Sequence, residues 1–342
     1  MSMTVKVVSL FSGAGGSSIG YKMAGAEVLL ANEFIKEARE VYALNNPNTI
    51  VDSRDIRDIT GADILQQIGV EKYELDILDG SPPCSSFSIN GARDKNWGKV
   101  NNYSSTKQRT DDLFDEYLRI VEDIMPKVFI AENVKGLSMG KAKKYLSYII
   151  EKAKGIGYSV EYKVLNASDY SVPQDRERVI IMGVRNDLCK APQYPVRHPY
   201  KITCKDAIGH LINMPVDMQM NEDTKRVQLM RKYFRPLCNN KDIKAVMEEH
   251  NIKVYQQSFR RDRWDRPYYT IKQHHTRPFH PVSDRYMTAE EAKILMSFPD
   301  DFKFVSHHSP TRNWERMGRA VPPLLMKAVA ETVIEKILNV QV

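Results

Sequence analysis

The strongest constraint on the fold is the regular alternation of short apolar runs with amphipathic segments in the first 185 of the 342 residues. The apolar runs are of strand length and comprise Val5–Leu10, Glu27–Ala31, Leu75–Leu78, Val128–Ala131, Val160–Leu165 and Val179–Val184. The segments of helical period between them are Gly16–Ala24, Ile35–Asn45, Leu113–Met125 and Lys141–Lys154. Strands that alternate with helices predict an α/β fold with a mostly parallel sheet covered on both faces. We expect the last two strands to pair antiparallel.

This regular pattern ends after Val184, where an irregular region follows that is interrupted by Pro192, Pro195, Pro199 and Pro215. A helix is predicted over Thr288–Ser297, because Thr288 and Glu291 form a capping-box pattern. A final helix is predicted from Pro322 or Pro323 to Leu338, and its apolar positions indicate that it packs on the first domain. The predicted domains are residues 1–185, residues 186–285, and residues 286–342 as a return to the first domain.

The excess positive charge lies in one internal segment. Residues 186–285 contain 19 Lys and Arg against 11 Asp and Glu, whereas the rest of the chain contains 31 basic and 32 acidic residues. Such a charge can keep a small domain in solution. It can also bind a polyanion, because basic side chains displace counterions from phosphates.

Composition excludes several classes of protein. An apolar run of 18 residues is lacking, so the sequence predicts no membrane span, and the first residues lack the regions of a signal peptide. The four cysteines have no CxxC spacing, which predicts neither a zinc site nor a disulfide framework, and they are Cys84, Cys189, Cys204 and Cys238. Cysteines without a disulfide pattern are typical of the reducing cytosol, so we expect a cytoplasmic protein.

A glycine-rich turn follows the first predicted strand. Gly13, Gly15 and Gly16 permit positive φ and close approach of a ligand to the backbone. The dinucleotide fingerprint G-x-G-x-x-G fails, because Ser18 occupies the place of its third glycine. A turn of this kind serves either packing or ligand binding, and the turn alone does not distinguish the two.

Acidic residues after the second and third extended segments favour ligand binding. Glu33 ends the second strand, where a carboxylate can accept hydrogen bonds from both hydroxyls of a ribose. Asp55 and Ile56 follow the third segment and could contact an adenine amino group and one ring face. The sequence therefore indicates an adenosine-containing cofactor at the carboxyl ends of the strands.

Reactive side chains follow other strands of the same sheet. Cys84 follows two prolines, Glu132 follows Val128–Ala131, and Arg176 and Arg178 lie at the start of the last strand. Each has an ordinary alternative: a core cysteine, a helix cap or a surface charge. Together at the sheet edge where α/β enzymes place their chemistry, they predict an active site.

The chain resembles DNA (cytosine-5)-methyltransferases of the bacterial and phage type. The matching segments, in the usual order of that family, are SLFSGAGGSSIG, ANEF, DIRDI, GSPPCSSFS, ENVKGL, QDRERVIIMGV, MTAEEAKILMSFPDDF and MGRAVPPLLMKAVAE. The resemblance covers about residues 5–338, interrupted by the basic segment. It implies a Rossmann-like S-adenosylmethionine-dependent methyltransferase domain and a smaller, irregular target-recognition domain over 186–285.

The resemblance also implies the chemistry. Cys84 would add to C6 of cytosine, Glu132 would hydrogen-bond the exocyclic amine and stabilise N3, and Arg178 would contact O2 with Arg176 in support. S-adenosylmethionine would be held by Phe11, Gly13, Gly15, Gly16, Glu33, Phe34, Asp55, Ile56, Pro83 and Arg319. No metal is implied.

The implied substrate is double-stranded DNA with the target cytosine flipped out. The polar stretch Ser85–Arg109 is then expected to close over the site, although a plain disordered insertion is the alternative. The basic residues expected to contact DNA are Arg260, Arg261, Arg263, Lys272 and Arg277. We expect a monomer, with a restriction endonuclease as a functional partner in some contexts.

Three positions depart from the family pattern. Arg319 replaces the usual asparagine of the last motif, and an arginine there would face the carboxylate of the cofactor. Glu290 precedes Glu291 where the family frequently has Arg-Glu, which predicts the loss of a structural ion pair. Ser9 occupies a position that is often acidic.

Two other functions remain open at this point. One branch of the same family modifies tRNA, so an RNA cytosine-5 methyltransferase is an alternative. A catalytically silent DNA-binding regulator on the same fold is another. A dehydrogenase is disfavoured by the failed dinucleotide fingerprint.

Overall fold

The computed structural model describes residues 4–83, 101–103, 106–108, 112–212, 228–234, 240–253, 261, 263–272, 278–283 and 285–340. The strands are β1 (Lys6–Leu10), β2 (Glu27–Asn32), β3 (Ile50–Asp52), β4 (Ile77–Gly80), β5 (Asn101–Tyr103), β6 (Thr106–Gln108), β7 (Val128–Val134), β8 (Tyr158–Asn166), β9 (Gln174–Asp175), β10 (Glu177–Arg185) and β11 (Tyr268–Tyr269). The α-helices are α1 (Gly16–Met23), α2 (Lys36–Asn45), α3 (Gly61–Ile68), α4 (Leu113–Ile124), α5 (Ala142–Ile156), α6 (Cys204–Ile208), α7 (Asn240–Glu249), α8 (Ala289–Leu295), α9 (Pro310–Arg319) and α10 (Pro323–Lys336).

Seven strands form one sheet in the order β3-β2-β1-β4-β7-β10-β8. Strand β10 pairs antiparallel with β7 and with β8, and the other neighbours are parallel. The predicted α/β fold and the predicted antiparallel pair are therefore confirmed. Strand β4 and most of β7 are buried, as expected for strands covered on both faces.

The order of the strands reverses between β1 and β4. From β1 the chain adds β2 and β3 on one side, and then returns to add β4 on the other side. In open α/β sheets such a switch point leaves a crevice beyond the carboxyl ends of the strands. Here Leu10 lies opposite Gly80, and the Ser81 N–H donates to the Leu10 carbonyl at 3.3 Å. The glycine turn and the Ser81–Pro83 segment thus leave the sheet side by side.

Helices α1 and α10 cross at very short range. A Cβ added at Gly20 would lie 2.6 Å from the Pro323 carbonyl oxygen and 2.7 Å from the Met326 Cβ, so only glycine fits at the crossing. Helix α10 is in the same compact unit as the main sheet, which confirms that the final helix packs on the first domain. Helix α4 covers another part of the sheet, where Tyr117 lies against Gly80.

The chain divides into two compact units. The first comprises residues 1–166, 177–197 and 321–342, and the second comprises residues 167–176 and 198–320. Residues 167–176 belong to the second unit because their side chains bond there. For example, the Gln174 side chain donates to the Leu295 carbonyl and accepts from the Ile271 N–H.

The second unit contains a buried ion pair that local sequence patterns do not predict. The predicted capping box of Thr288 and Glu291 is present. The Glu291 carboxylate also binds Arg285 through two contacts, at 2.6 Å and 2.9 Å. The expected loss of an ion pair at Glu290–Glu291 is therefore wrong, because Arg285 from outside the helix supplies the cation.

A buried histidine completes this cluster. The His280 Nδ1 accepts from the Val282 and Ser283 N–H groups, and its Nε2 lies 3.4 Å from Glu291. Burial lowers the pKa of His280 to about 4, although Glu291 opposes the shift. His280 therefore remains neutral at physiological pH.

None of the helices in the described part of the chain combines the length and apolar character that a membrane crossing requires.

Candidate active site at the carboxyl edge of the sheet

The turn after β1 is shaped by three residues with positive φ. Phe11, Gly13 and Gly15 have φ values of 54°, 57° and 88°. Left-handed backbone is costly for a residue such as Phe11, and such strain concentrates where a ligand is bound. Gly15 ends the turn, and the buried Gly16 begins α1, so the turn delivers the backbone N–H groups at the start of a helix to the crevice.

Glu33 holds the turn from the neighbouring strand end. One carboxylate oxygen accepts from the Gly13 N–H at 2.7 Å and the other accepts from the Ile35 N–H at 2.7 Å. Glu33 is only 7% exposed, whereas the adjacent Phe34 is 40% exposed. A carboxylate that can accept hydrogen bonds thus lies next to an accessible aromatic ring. This combination fits the ribose and the base of an adenosine group.

Asp55 follows β3 and caps a short 3₁₀ helix, Ile56–Asp58. Its carboxylate binds Arg57, which also forms two hydrogen bonds with Asp112, so Asp55 is fixed by a charged network. Ile56 is 3% exposed and contributes to the hydrophobic core. The carboxylate of Asp55 and the apolar side chain of Ile56 therefore lie next to each other in the chain after β3.

Glu132 and Arg178 form an ion pair across β7 and β10. The Arg178 Nε lies 2.8 Å from a Glu132 carboxylate oxygen, and each residue is 9% exposed. Burial lowers the pKa of Arg178, and the adjacent carboxylate opposes this effect. A buried pair of this kind orients both groups, since removal of either would leave an uncompensated charge. The structure thus brings together two residues that the sequence predicts to be catalytic.

Asn133 connects this pair to the segment that leads to the predicted nucleophile. Its side-chain amide donates to the Pro82 carbonyl at 3.0 Å, and its side-chain oxygen accepts from the Val134 N–H at 2.9 Å. Pro82 is buried and Pro83 is half-buried. Asn133 therefore fixes the backbone of the segment that directly precedes Cys84. The sequence alone predicts no separate role for Asn133, although its place directly after Glu132 is a usable signal.

Some predicted site residues fall outside the described residues. These are Cys84, the stretch Ser85–Arg109 apart from the backbone of two short strands, and the basic residues Arg260 and Arg277. Their roles stay predictions.

Arg176 and Arg319 lie in the second unit and bond within it. The guanidinium of Arg176 donates to the carbonyls of Ile271, Gly318 and Ala320, and the residue is 1% exposed. Arg319 contacts a Glu315 carboxylate oxygen at 3.1 Å and 3.2 Å. These contacts give Arg176 a role in holding backbone segments together.

The basic residues predicted to contact DNA differ in exposure. Arg261 is 3% exposed and donates to the carbonyls of His280 and Ser283, and this burial argues against a DNA contact. Arg263 lies over the ring of Tyr269 at 4.5 Å. Lys272 is exposed. Charge alone could not distinguish these three environments, because all three residues lie in the same basic segment.

Comparison with known proteins agrees with this geometry. The C-5 cytosine-specific DNA methylase family profile matches residues 5–335. The chain is 31% identical to the Type II methyltransferase M1.HphI of Haemophilus parahaemolyticus, covering 98% of this chain and 88% of the relative. It is 29% identical to the Type II methyltransferase M.XorII of Xanthomonas oryzae, covering 96% and 84%.

A solved structure shares the fold. It is described as a DNA modification methyltransferase encoded within an E. coli prophage, and it superposes with a TM-score of 0.76 at 21% identity over 98% of this chain and 100% of that one. The family match extends over nearly the whole chain. It includes the strands of the main sheet and both residues of the Glu132–Arg178 pair. The chain belongs to the C-5 cytosine-specific DNA methylase family.

Proposed function

We propose that this protein transfers a methyl group from S-adenosylmethionine to C5 of a flipped-out cytosine within a specific short sequence of duplex DNA. The family supplies the reaction type, and the relatives described as Type II methyltransferases support a role in a restriction-modification system. A cognate restriction endonuclease is then a functional partner. The basic segment 186–285 is proposed as the target-recognition domain, and Lys272 as one of its DNA contacts.

Cys84 is proposed as the nucleophile. Its thiolate adds to C6 of cytosine, and the ring electrons become available at C5 as an enamine-like nucleophile. C5 then takes the methyl group, loses its proton to water, and the S–C6 bond breaks to return the thiolate. The two prolines before Cys84 and the Asn133 bond to the Pro82 carbonyl support this role, because they restrict the backbone that presents the sulfur.

Glu132 and Arg178 are proposed to bind the flipped base. Glu132 hydrogen-bonds the exocyclic amine and, in its acid form, gives a proton to N3, so that negative charge does not accumulate on the ring. It takes this proton back when the S–C6 bond breaks. Arg178 donates to O2 and holds Glu132 in place through their 2.8 Å contact. Together with the cysteine these groups would contact the edge and the reacting carbon of one pyrimidine.

The cofactor-binding residues are proposed from the turn and the adjacent strand ends. When bound, S-adenosylmethionine supplies an electrophilic methyl group on sulfur. Glu33 would accept hydrogen bonds from the ribose hydroxyls, Phe34 would cover the adenine ring, and Asp55 would accept from its amino group. Phe11, Gly13, Gly15, Gly16, Ile56 and Pro83 would form the backbone and apolar walls. A contact from Arg319 to the carboxylate of the cofactor would compete with its bond to Glu315.

The observation that carries the proposal is the buried Glu132–Arg178 pair. It lies next to Asn133, which bonds the segment that leads to Cys84. A trapping experiment tests it. Duplex DNA with 5-fluorocytosine at the target position cannot lose a proton from C5, so the enzyme should stay covalently bound in the presence of S-adenosylmethionine. We expect a stable complex with the unaltered protein and none with Cys84→Ser. A complex of equal yield with both proteins would contradict the proposed role of Cys84.

A further inference from the structure

Asp79 is a buried carboxyl group that the proposed mechanism does not use. It lies in β4 and is 1% exposed. In the sheet it is opposite Ser9 of β1 on one side and opposite Ile130 of β7 on the other. Paired residues and alternate residues of a strand share a face, so Ser9, Asp79 and Glu132 lie on the same face of the sheet. Asp79 and Glu132 are diagonal neighbours, which places them on the order of 7 Å apart.

The hydrogen bonds of Asp79 join β4 to both β1 and α1. One carboxyl oxygen accepts from the Ser9 hydroxyl at 2.9 Å, and the other accepts from the Tyr21 hydroxyl at 3.2 Å. The Ser9 carbonyl in turn accepts from the Ser12 hydroxyl at 2.7 Å, at the start of the glycine turn. Asp79 thus connects the strand that leads to Cys84 with the strand and helix on either side of the cofactor turn.

We propose that Asp79 is a positioning residue for methyl transfer, which holds the cofactor turn against the nucleophile strand and places a titratable charge beside Glu132. This inference rests on the proposed function. A negative charge beside Glu132, on the same face of the sheet, favours the positive charge that develops when N3 of cytosine accepts a proton. The ionised form of Asp79 is therefore the more active form.

Burial and the neighbouring side chains determine the pH at which Asp79 loses its proton. Burial raises the pKa of Asp79 to about 7, Glu132 contributes in the same direction, and the Ser9 and Tyr21 hydrogen bonds oppose the shift. Among the described residues, the other titratable groups that interact with it are Tyr21 from α1, Tyr42 from α2 and Tyr117 from α4. Burial raises the pKa of each of these tyrosines, which stay neutral. Asp79 is then the group among these whose charge changes near neutral pH.

The test compares kcat of the unaltered protein and of Asp79→Asn at pH 6 and pH 8.5, with labelled S-adenosylmethionine and duplex DNA. Asparagine resembles the protonated acid in shape and charge. Ionisation of Cys84 affects both proteins and largely cancels in the ratio of the two kcat values. We expect the ratio to rise about tenfold between pH 6 and pH 8.5, the effect of one charge at this distance in a partly screened interior.

Two further variants separate this role from a general effect on stability. Asp76→Asn changes a carboxylate in the loop that leads into β4, where it bonds the Lys6 N–H and Lys127, and should give a flat ratio. Asp79→Ser should lose the pH-dependent gain. Adding Ser9→Asp to it should restore the gain, because the carboxylate then returns from the opposite strand.

A flat ratio for Asp79→Asn in proteins that all methylate DNA would overturn the role of Asp79 alone. The same conclusion would follow if the Ser9→Asp, Asp79→Ser protein behaved like Asp79→Ser. Absence of DNA methylation by the unaltered protein would instead contradict the proposed function, and this inference with it.

Discussion

Buried charge concentrates at one end of the sheet at the scale of single residues. Glu33, Asp79, Glu132 and Arg178 are each less than a tenth exposed, and all lie in or directly after a strand of the first unit. Burying charge is costly unless each group has a partner. Glu33 bonds backbone N–H groups, Asp79 bonds hydroxyls, and Glu132 bonds Arg178. Under the proposed function, these partnered groups would prepare the site before substrate arrives.

Glu132→Gln tests the proton-donating role of this residue. The amide keeps the size of the side chain and an oxygen for Arg178, but it cannot supply a proton to N3. We expect kcat for DNA methylation to fall between about 10² and 10⁴-fold, with little change in the dissociation constant for S-adenosylmethionine. Glu177→Gln, at a surface residue that pairs with Lys135, is the control and should retain kcat. A Glu132→Gln protein with normal kcat would exclude the role.

The pKa of Asp79 also predicts how stability depends on pH. The group binds its proton more tightly in the folded protein, with a pKa of about 7 against an ordinary value of 3.8. Its contribution to the free energy of unfolding is therefore full below pH 3.8 and is lost as the pH rises to about 7, by up to about 1.4 kcal/mol per pH unit. We expect the melting temperature of Asp79→Asn, relative to the unaltered protein, to increase from pH 4.5 to pH 7 and then to level off. A difference independent of pH would contradict this.

At the scale of elements, the sequence predicts best where one signal decides the structure. The strand β10 and the helix α4 follow from apolar runs and helical periodicity, and their observed bounds lie within two residues of the predicted ones. The predicted helices do not include α3 or α9, and α9 has few apolar positions. Their caps were readable, since Thr60 and Ser309 each accept an N–H of the first turn.

Side-chain partners across elements could not be predicted. The bond from Asn133 to Pro82 depends on the alignment of β4 with β7, and the pair of Arg285 with Glu291 depends on a loop that packs on α8. Local sequence contains neither alignment. The ends of the strands could be predicted as the site, but the contacts that fix its geometry required the structure.

The crossing of α1 and α10 gives a prediction at the same scale. Gly20→Ala would place a Cβ 2.6 Å from the Pro323 carbonyl oxygen, so the helices must move apart. We expect a loss of about 1–3 kcal/mol in the free energy of unfolding, as for overpacked cores. Gly155→Ala, in the exposed part of α5 with nothing near the added carbon, should instead gain about 0.5–1 kcal/mol. Denaturant unfolding of both variants checks the two signs, and equal effects would contradict the account.

At the scale of the whole molecule, charge and chemistry are separated. The segment 186–285 has a net charge of +8, while the remaining residues have nearly balanced charges. Phosphate contacts supply affinity for any DNA sequence, and base contacts select the target. We therefore expect the basic segment to determine how strongly binding depends on salt, and the sheet edge to determine whether the bound cytosine is modified.

Lys272→Ala tests the charge at this scale. If Lys272 contacts a phosphate, its loss should lower the slope of log K against log salt concentration by about 1 and weaken target and non-target DNA equally. Lys72→Ala, at an exposed lysine in the loop before β4, should leave the slope unchanged. Fluorescence anisotropy between low and physiological salt gives both slopes. An unchanged slope for Lys272→Ala would exclude a phosphate contact.

Direct measurement of the methylated product tests the central claim. The purified protein is incubated with S-adenosylmethionine carrying a labelled methyl group and with genomic duplex DNA or tRNA, and the nucleosides are then separated. The account predicts labelled 5-methyldeoxycytidine from DNA, at one short recurring sequence, and no label in tRNA. Label in tRNA alone, or on another atom of the DNA bases, would contradict it.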